Sequence, residues 1–87
     1  MAEIVKNDKN FKVVKMSREE VNTVFGTIGI CDRCNKKVKV GYYIAVLNMW
    51  MCTKCYKSWL KTARYYEEDR YCEERCFKSV LLSLGML

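Results

Sequence analysis

The sequence predicts a small α+β domain that needs a staple beyond its own core, on three observations. At 87 residues the chain is one domain, and a domain of this size buries only about 60 to 65 % of the surface that its unfolded chain exposes. Two Cys-x-x-Cys pairs, Cys31/Cys34 and Cys52/Cys55, lie 17 residues apart. Between them runs an alternating stretch rich in Val, Tyr and Ile, and after Cys52 the apolar period lengthens from two to between three and four. A hairpin followed by a helix is the simplest reading.

Taken in order, "FKVVK" (residues 11–15) alternates and carries β-branched residues, which predicts a short strand or extended arm. Ser17 with Glu20 three residues on is a capping-box pattern, and Gly26 is a natural stop, so a short N-terminal helix spans Arg18 to Phe25. "TIGICDRCNKK" is rich in turn formers. "KVKVGYYIAVLNMWMC" then supplies two strands, with the turn at Gly41 or near Asn48. Cys52 and Cys55 fall at the start of the following helix. Nothing from Thr53 to Leu84 forbids one long C-terminal helix of about 48 Å. Either it breaks near "YYEEDR", with Asp69 capping a second helix, or its distal half packs on a second copy of the chain. That half carries an apolar stripe, Cys72, Cys76, Val80 and Leu84, flanked by Phe77 and Leu81. A stripe folded back on the chain's own N-terminal elements ranks above a dimer seam. The expected organisation is one domain in three parts: residues 1–28 packing on the core, 29–66 around the cysteines, and 67–87 as an amphipathic helix.

Apolar residues make up 51 % and charged residues 30 %, with no proline, which is a globular composition. The N-terminus lacks the continuous apolar region of a signal peptide, and the longest apolar stretch, Tyr42 to Cys52, falls short of the roughly 18 to 20 residues that span a bilayer. A cytoplasmic protein with no membrane partner is expected, and in a reducing compartment six cysteines read as thiolate ligands or free thiols. Disulfides, a redox Cys-x-x-Cys and an iron–sulfur cluster rank below a metal site. The first lacks an export signal, the second lacks a βαβ pattern, and the third shares the ligand type without further support. Spacing of this kind falls within the window for four-thiolate zinc, so Cys31, Cys34, Cys52 and Cys55 are predicted to hold one structural zinc ion per chain. Cys72 and Cys76 read first as small buried hydrophobes and second as half of another metal site.

The order "CDRC", hairpin, "CTKC" on a helix resembles a treble-clef zinc finger over residues 29 to 66. The resemblance implies the fold of that stretch and the four zinc ligands, and no activity.

The net charge of +6 is uneven. Residues 41 to 64 carry four Lys/Arg and no acidic residue, whereas residues 65 to 87 carry three against five. With no histidine in the chain and a closed thiolate shell, His-dependent hydrolysis and metal-water catalysis have no means, and no small-molecule substrate is expected. The acidic run "EEDRYCEE" reads as a solvated helix face. Two binding functions remain. The first is a protein-interaction or adaptor module displaying Tyr42, Tyr43, Trp50, Tyr56 and Trp59, with the C-terminal helix engaging a partner or second copy. The alternative is a nucleic-acid binder, with Lys54, Lys57, Lys61 and Arg64 on one helix face and Arg33, Lys36, Lys37 and Lys39 on the knuckle contacting phosphates.

Overall fold

A computed structural model describes residues 2–86. Strands β1 (Glu3–Val5), β2 (Val13–Ser17), β3 (Val40–Ile44) and β4 (Met49–Cys52) form one antiparallel sheet in chain order. Helices α1 (Arg18–Phe25), α2 (Thr53–Thr62) and α3 (Arg70–Ser83) complete an α+β domain. The alternation of β2 and β3 sends side chains to two cores. Val14, Met16, Tyr43 and Trp50 meet Val21 of α1 and Val80 and Leu81 of α3 on one face. Val13, Ile44 and Met51 meet Phe11, Cys31, Cys52 and Tyr56 on the other. A sheet covered on both faces raises the apolar surface that so short a chain can bury.

The strand read over residues 11–15 lies at Val13–Ser17, and the sequence reading missed β1, three residues too short to show a period. The chain therefore begins with strands, and α1 follows them. Ser17 Oγ accepts from the Glu20 N–H while Glu20 Oε1 accepts from the Ser17 N–H, and Gly26 closes the helix at φ 69°. Because β2 pairs with β3 over five residues, β1 and β2 belong to the same sheet as β3 and β4.

The hairpin turns at residues 45–48, where Asn48 takes the left-handed conformation at φ 54°, so the turn is not at Gly41. Gly41 sits inside β3 for a steric reason: a Cβ there would lie 2.5 Å from the Met51 carbonyl oxygen and 2.6 Å from the Trp50 ring. Gly41→Ala is accordingly expected to cost about 1 to 3 kcal/mol in thermal or denaturant unfolding, the usual penalty of overpacking. Gly26→Ala meets no atom within 4 Å; its cost comes from positive φ alone and supplies the comparison.

Of the two readings of residues 53–84, the structure has the break near "YYEEDR" and no single long C-terminal helix. α2 ends at Thr62, residues 63–66 carry no regular structure, a single 3-10 turn spans Glu67–Asp69, and α3 then runs back over the sheet. Asp69 stands at the α3 N-cap, but its side chain makes no capping bond. What stops α2 is tertiary. Lys9 Nζ donates to the carbonyl oxygens of Lys61 (3.3 Å) and Ala63 (2.7 Å), neutralising the negative helix end. Phe11 packs on Trp59 and Tyr65, with ring centroids at 4.8 and 5.6 Å.

Folding back consumes the apolar stripe. Val80 and Leu81 are buried, Cys76, Phe77 and Leu84 are partly buried against the same core, and Cys72 is exposed. The acidic run is not wholly solvated either. Glu73 is 1 % exposed; its Oε2 accepts the Lys12 backbone N–H at 3.0 Å and its Oε1 the Tyr65 hydroxyl at 3.1 Å. Among the described residues no helix is long and apolar enough to cross a membrane.

Candidate metal centre

Cys31 and Cys34 stand on a tight loop between α1 and β3, braced by an isolated bridge between Ile30 and Lys37. The Cys31 N–H donates to the Lys36 carbonyl (3.0 Å), and Asn35 turns the chain at φ 61° while its N–H returns to the Cys31 carbonyl (2.9 Å). This curl aims two further backbone N–H groups at the Cys31 sulfur, from Arg33 at 3.4 Å and Cys34 at 3.5 Å. Cys52 ends β4 and caps α2, and Cys55 follows one turn in.

The two halves are locked together by Asp32, which the sequence reading passed over. Its N–H donates to the Trp50 carbonyl and its Oδ2 accepts the Trp50 N–H, both at 2.9 Å. The knuckle thus occupies the open edge of β4 as a further strand would. An Asx residue directly after the first ligand was the available signal.

The four sulfurs lie within 4.8 Å of one another, with Cys34 Sγ and Cys52 Sγ 3.8 Å apart. Four bonds of about 2.3 Å at tetrahedral angles set sulfurs roughly 3.8 Å apart, so the donors fit one tetrahedral ion with little movement. Burial disfavours the Cys31 thiolate, but the N–H groups of Cys34, Cys52 and Arg33 outweigh it and lower the thiol to about 6. Desolvation pushes the Cys55 thiol up to about 12, joined by its hydrogen bonds to Cys52, Cys34 and Cys31. Without an ion the cluster therefore keeps protons that a metal must displace. Cys31 and Cys52 are buried, whereas Cys34 is exposed and Cys55 half-buried.

Around this cluster the structure brings together three of the predicted cations, Arg33, Lys36 and Lys54. Arg33, Lys36, Lys37 and Lys39 on the knuckle side and Lys54, Lys57 and Lys61 on α2 are all exposed. Arg33 Nη1 donates to the Cys55 carbonyl at 3.3 Å, and Arg33, Lys36, Lys54 and Ser58 share with Cys34, Cys52 and Cys55 an open cavity of about 370 Å³. Arg64 is exposed but lies beyond the end of α2, so the four-residue helix face reduces to three. Residues 33–66 contain eight Lys/Arg and no Asp or Glu.

The aromatic surface is corrected more severely. Tyr43, Trp50 and Tyr56 are 1, 3 and 5 % exposed, and Tyr42 and Trp59 are half-buried, with Tyr42 stacked on Tyr56 at 4.4 Å. Three of the five rings are core, and Tyr42 and Trp59 pack half-buried against it. Compared with known proteins, the chain matches no family model, no curated protein and no solved structure.

Proposed function

We propose that this chain is a non-enzymatic nucleic-acid-binding domain, stapled by one structural zinc ion on Cys31, Cys34, Cys52 and Cys55, in a module that resembles a treble clef. Four soft thiolates at tetrahedral spacing suit zinc and leave it no open coordination position for chemistry. The knuckle, the β3–β4 hairpin and α2 follow one another in treble-clef order.

One observation carries the choice of partner: cations about 20 residues apart in sequence converge on one exposed rim, in a stretch free of acidic residues. The competing adaptor reading needed displayed aromatics and a projecting helix. The aromatics are core or packed against it, and α3 folds back. Zinc with four thiolates carries two negative charges, which the nearby cations outnumber.

Fluorescence anisotropy with a labelled DNA duplex across a salt series tests the reading. Engagement of about four phosphates predicts a log–log salt slope of roughly −3 to −4. The Lys54→Gln/Lys57→Gln/Lys61→Gln variant should flatten that slope by roughly 2 to 3 and keep its metal. No binding of DNA or RNA at low salt, or an unaltered slope in the variant, refutes it.

A further inference from the structure

A second pair of thiols, on the opposite face of the sheet from the cysteine cluster, is not explained by packing. Cys72 and Cys76 stand at i and i+4 on α3, and both line a cavity of about 430 Å³ between α3 and the end of α1. A half-buried Cys76 can serve as a small apolar filler, but Cys72 is exposed and fills nothing. The i,i+4 spacing sets their Cβ atoms about 5 to 6 Å apart on one helix face. Among the described residues, Cys31, Cys34, Cys52 and Cys55 are the only group of three or more His, Cys, Asp or Glu placed to share an ion. Two thiols alone cannot complete the four-ligand shell that zinc takes.

We propose that Cys72 and Cys76 form a second metal site, selective for a soft ion content with two thiolates, of which Cu(I) is the best match. Thiolates favour Cu(I) over harder ions. Binding breaks two S–H bonds, forms two S–Cu bonds and releases two protons to solvent, with no change in oxidation state. The product carries one net negative charge, and Arg75, which lines the same cavity, is placed to offset it. Tyr43 and Asn48 line the inner side of the same cavity, the Tyr43 hydroxyl donating to Asn48 Oδ1 at 2.7 Å. Phe25 and Val80 give the cavity apolar walls.

The test uses the full metal-replete chain, titrated anaerobically with Cu(I) supplied as its bicinchoninate complex. Elemental analysis of the desalted protein then counts copper and the resident ion together. One copper per chain with the resident ion retained is expected, falling to none in Cys72→Ser/Cys76→Ser and in Cys72→Ser alone. The single variant changes an exposed residue and guards against a folding defect in the double one. Absence of uptake by the natural chain, copper gained only as the resident ion leaves, or equal uptake by either variant overturns the proposal.

Discussion

Stripping the metal from the purified chain with a strong chelator should abolish its cooperative thermal transition and the near-ultraviolet signal of Trp50. Structural zinc contributes about 10 to 16 kcal/mol of apparent binding free energy in small domains, as much as or more than a typical domain's whole stability of about 5 to 15 kcal/mol. An ion on the four cysteines would bear directly on packing. Cys31 and Cys52 are members of the α2-side core, and Asp32 couples the knuckle to the backbone of Trp50. Acid should act as the chelator does, because each thiolate given up by the ion takes a proton, so apparent affinity falls as pH falls. In the apo state the sign differs between cysteines. The lowered Cys31 thiol favours the fold above its unfolded value, and this is lost as pH falls through about 6. The raised Cys55 thiol favours the fold below its unfolded value, and this is lost as pH rises toward about 12. Cys31→Ser is expected to be more damaging than Cys34→Ser, since it replaces a buried sulfur that accepts two N–H bonds. A chelated chain that melts at the same temperature as the untreated one would refute the staple.

Glu73→Ala, in saturating metal, should lower stability by about 2 to 3 kcal/mol and the melting temperature by roughly 10 to 20 °C. The carboxyl group is the pin between three segments. It fixes α3 to the loop before β2 through Lys12, and to the segment after α2 through Tyr65. Removing it leaves the Lys12 N–H without its acceptor in a part-buried position and empties the space of a side chain that is 1 % exposed. Glu73→Gln keeps one acceptor oxygen and should fall between the two. Tyr65→Phe should cost about 1 to 2 kcal/mol, because it takes the donor from Glu73 Oε1 on a side chain that is 1 % exposed but leaves the Lys12 bond intact. Equal melting temperatures for the natural chain and Glu73→Ala would show that the pin bears no load.

The features legible in the sequence were those encoded within a few residues. The ligand set was visible because a Cys-x-x-Cys pair is short enough for one turn to present two sulfurs. The start of α1 was visible because the Ser17–Glu20 box closes on itself. The features that were missed belong to residues whose roles depend on distant neighbours. Asp32 looks like any turn residue until Trp50 is beside it. Glu73 looks like part of a solvated run until Lys12 and Tyr65 arrive, 61 and 8 residues away in sequence. Trp50, Tyr43 and Tyr56 could as well have lined a surface, since a ring at alternating positions does not say which face will be covered.

By itself, then, the sequence determined which four cysteines cluster, the capped first helix, the hairpin between the cysteine pairs and the basic bias of the middle of the chain. Only the tertiary structure decided where the long helical pattern breaks, which aromatics are core, and that knuckle and helix cations meet on one rim. No proline or glycine marks the break after Thr62. It occurs because a continuous rod would leave Val80 and Leu81 in water, whereas a reversal held by Lys9, Phe11 and Glu73 buries them on the sheet. That gain is a sum over contacts made by the whole chain, and no local window of residues contains it.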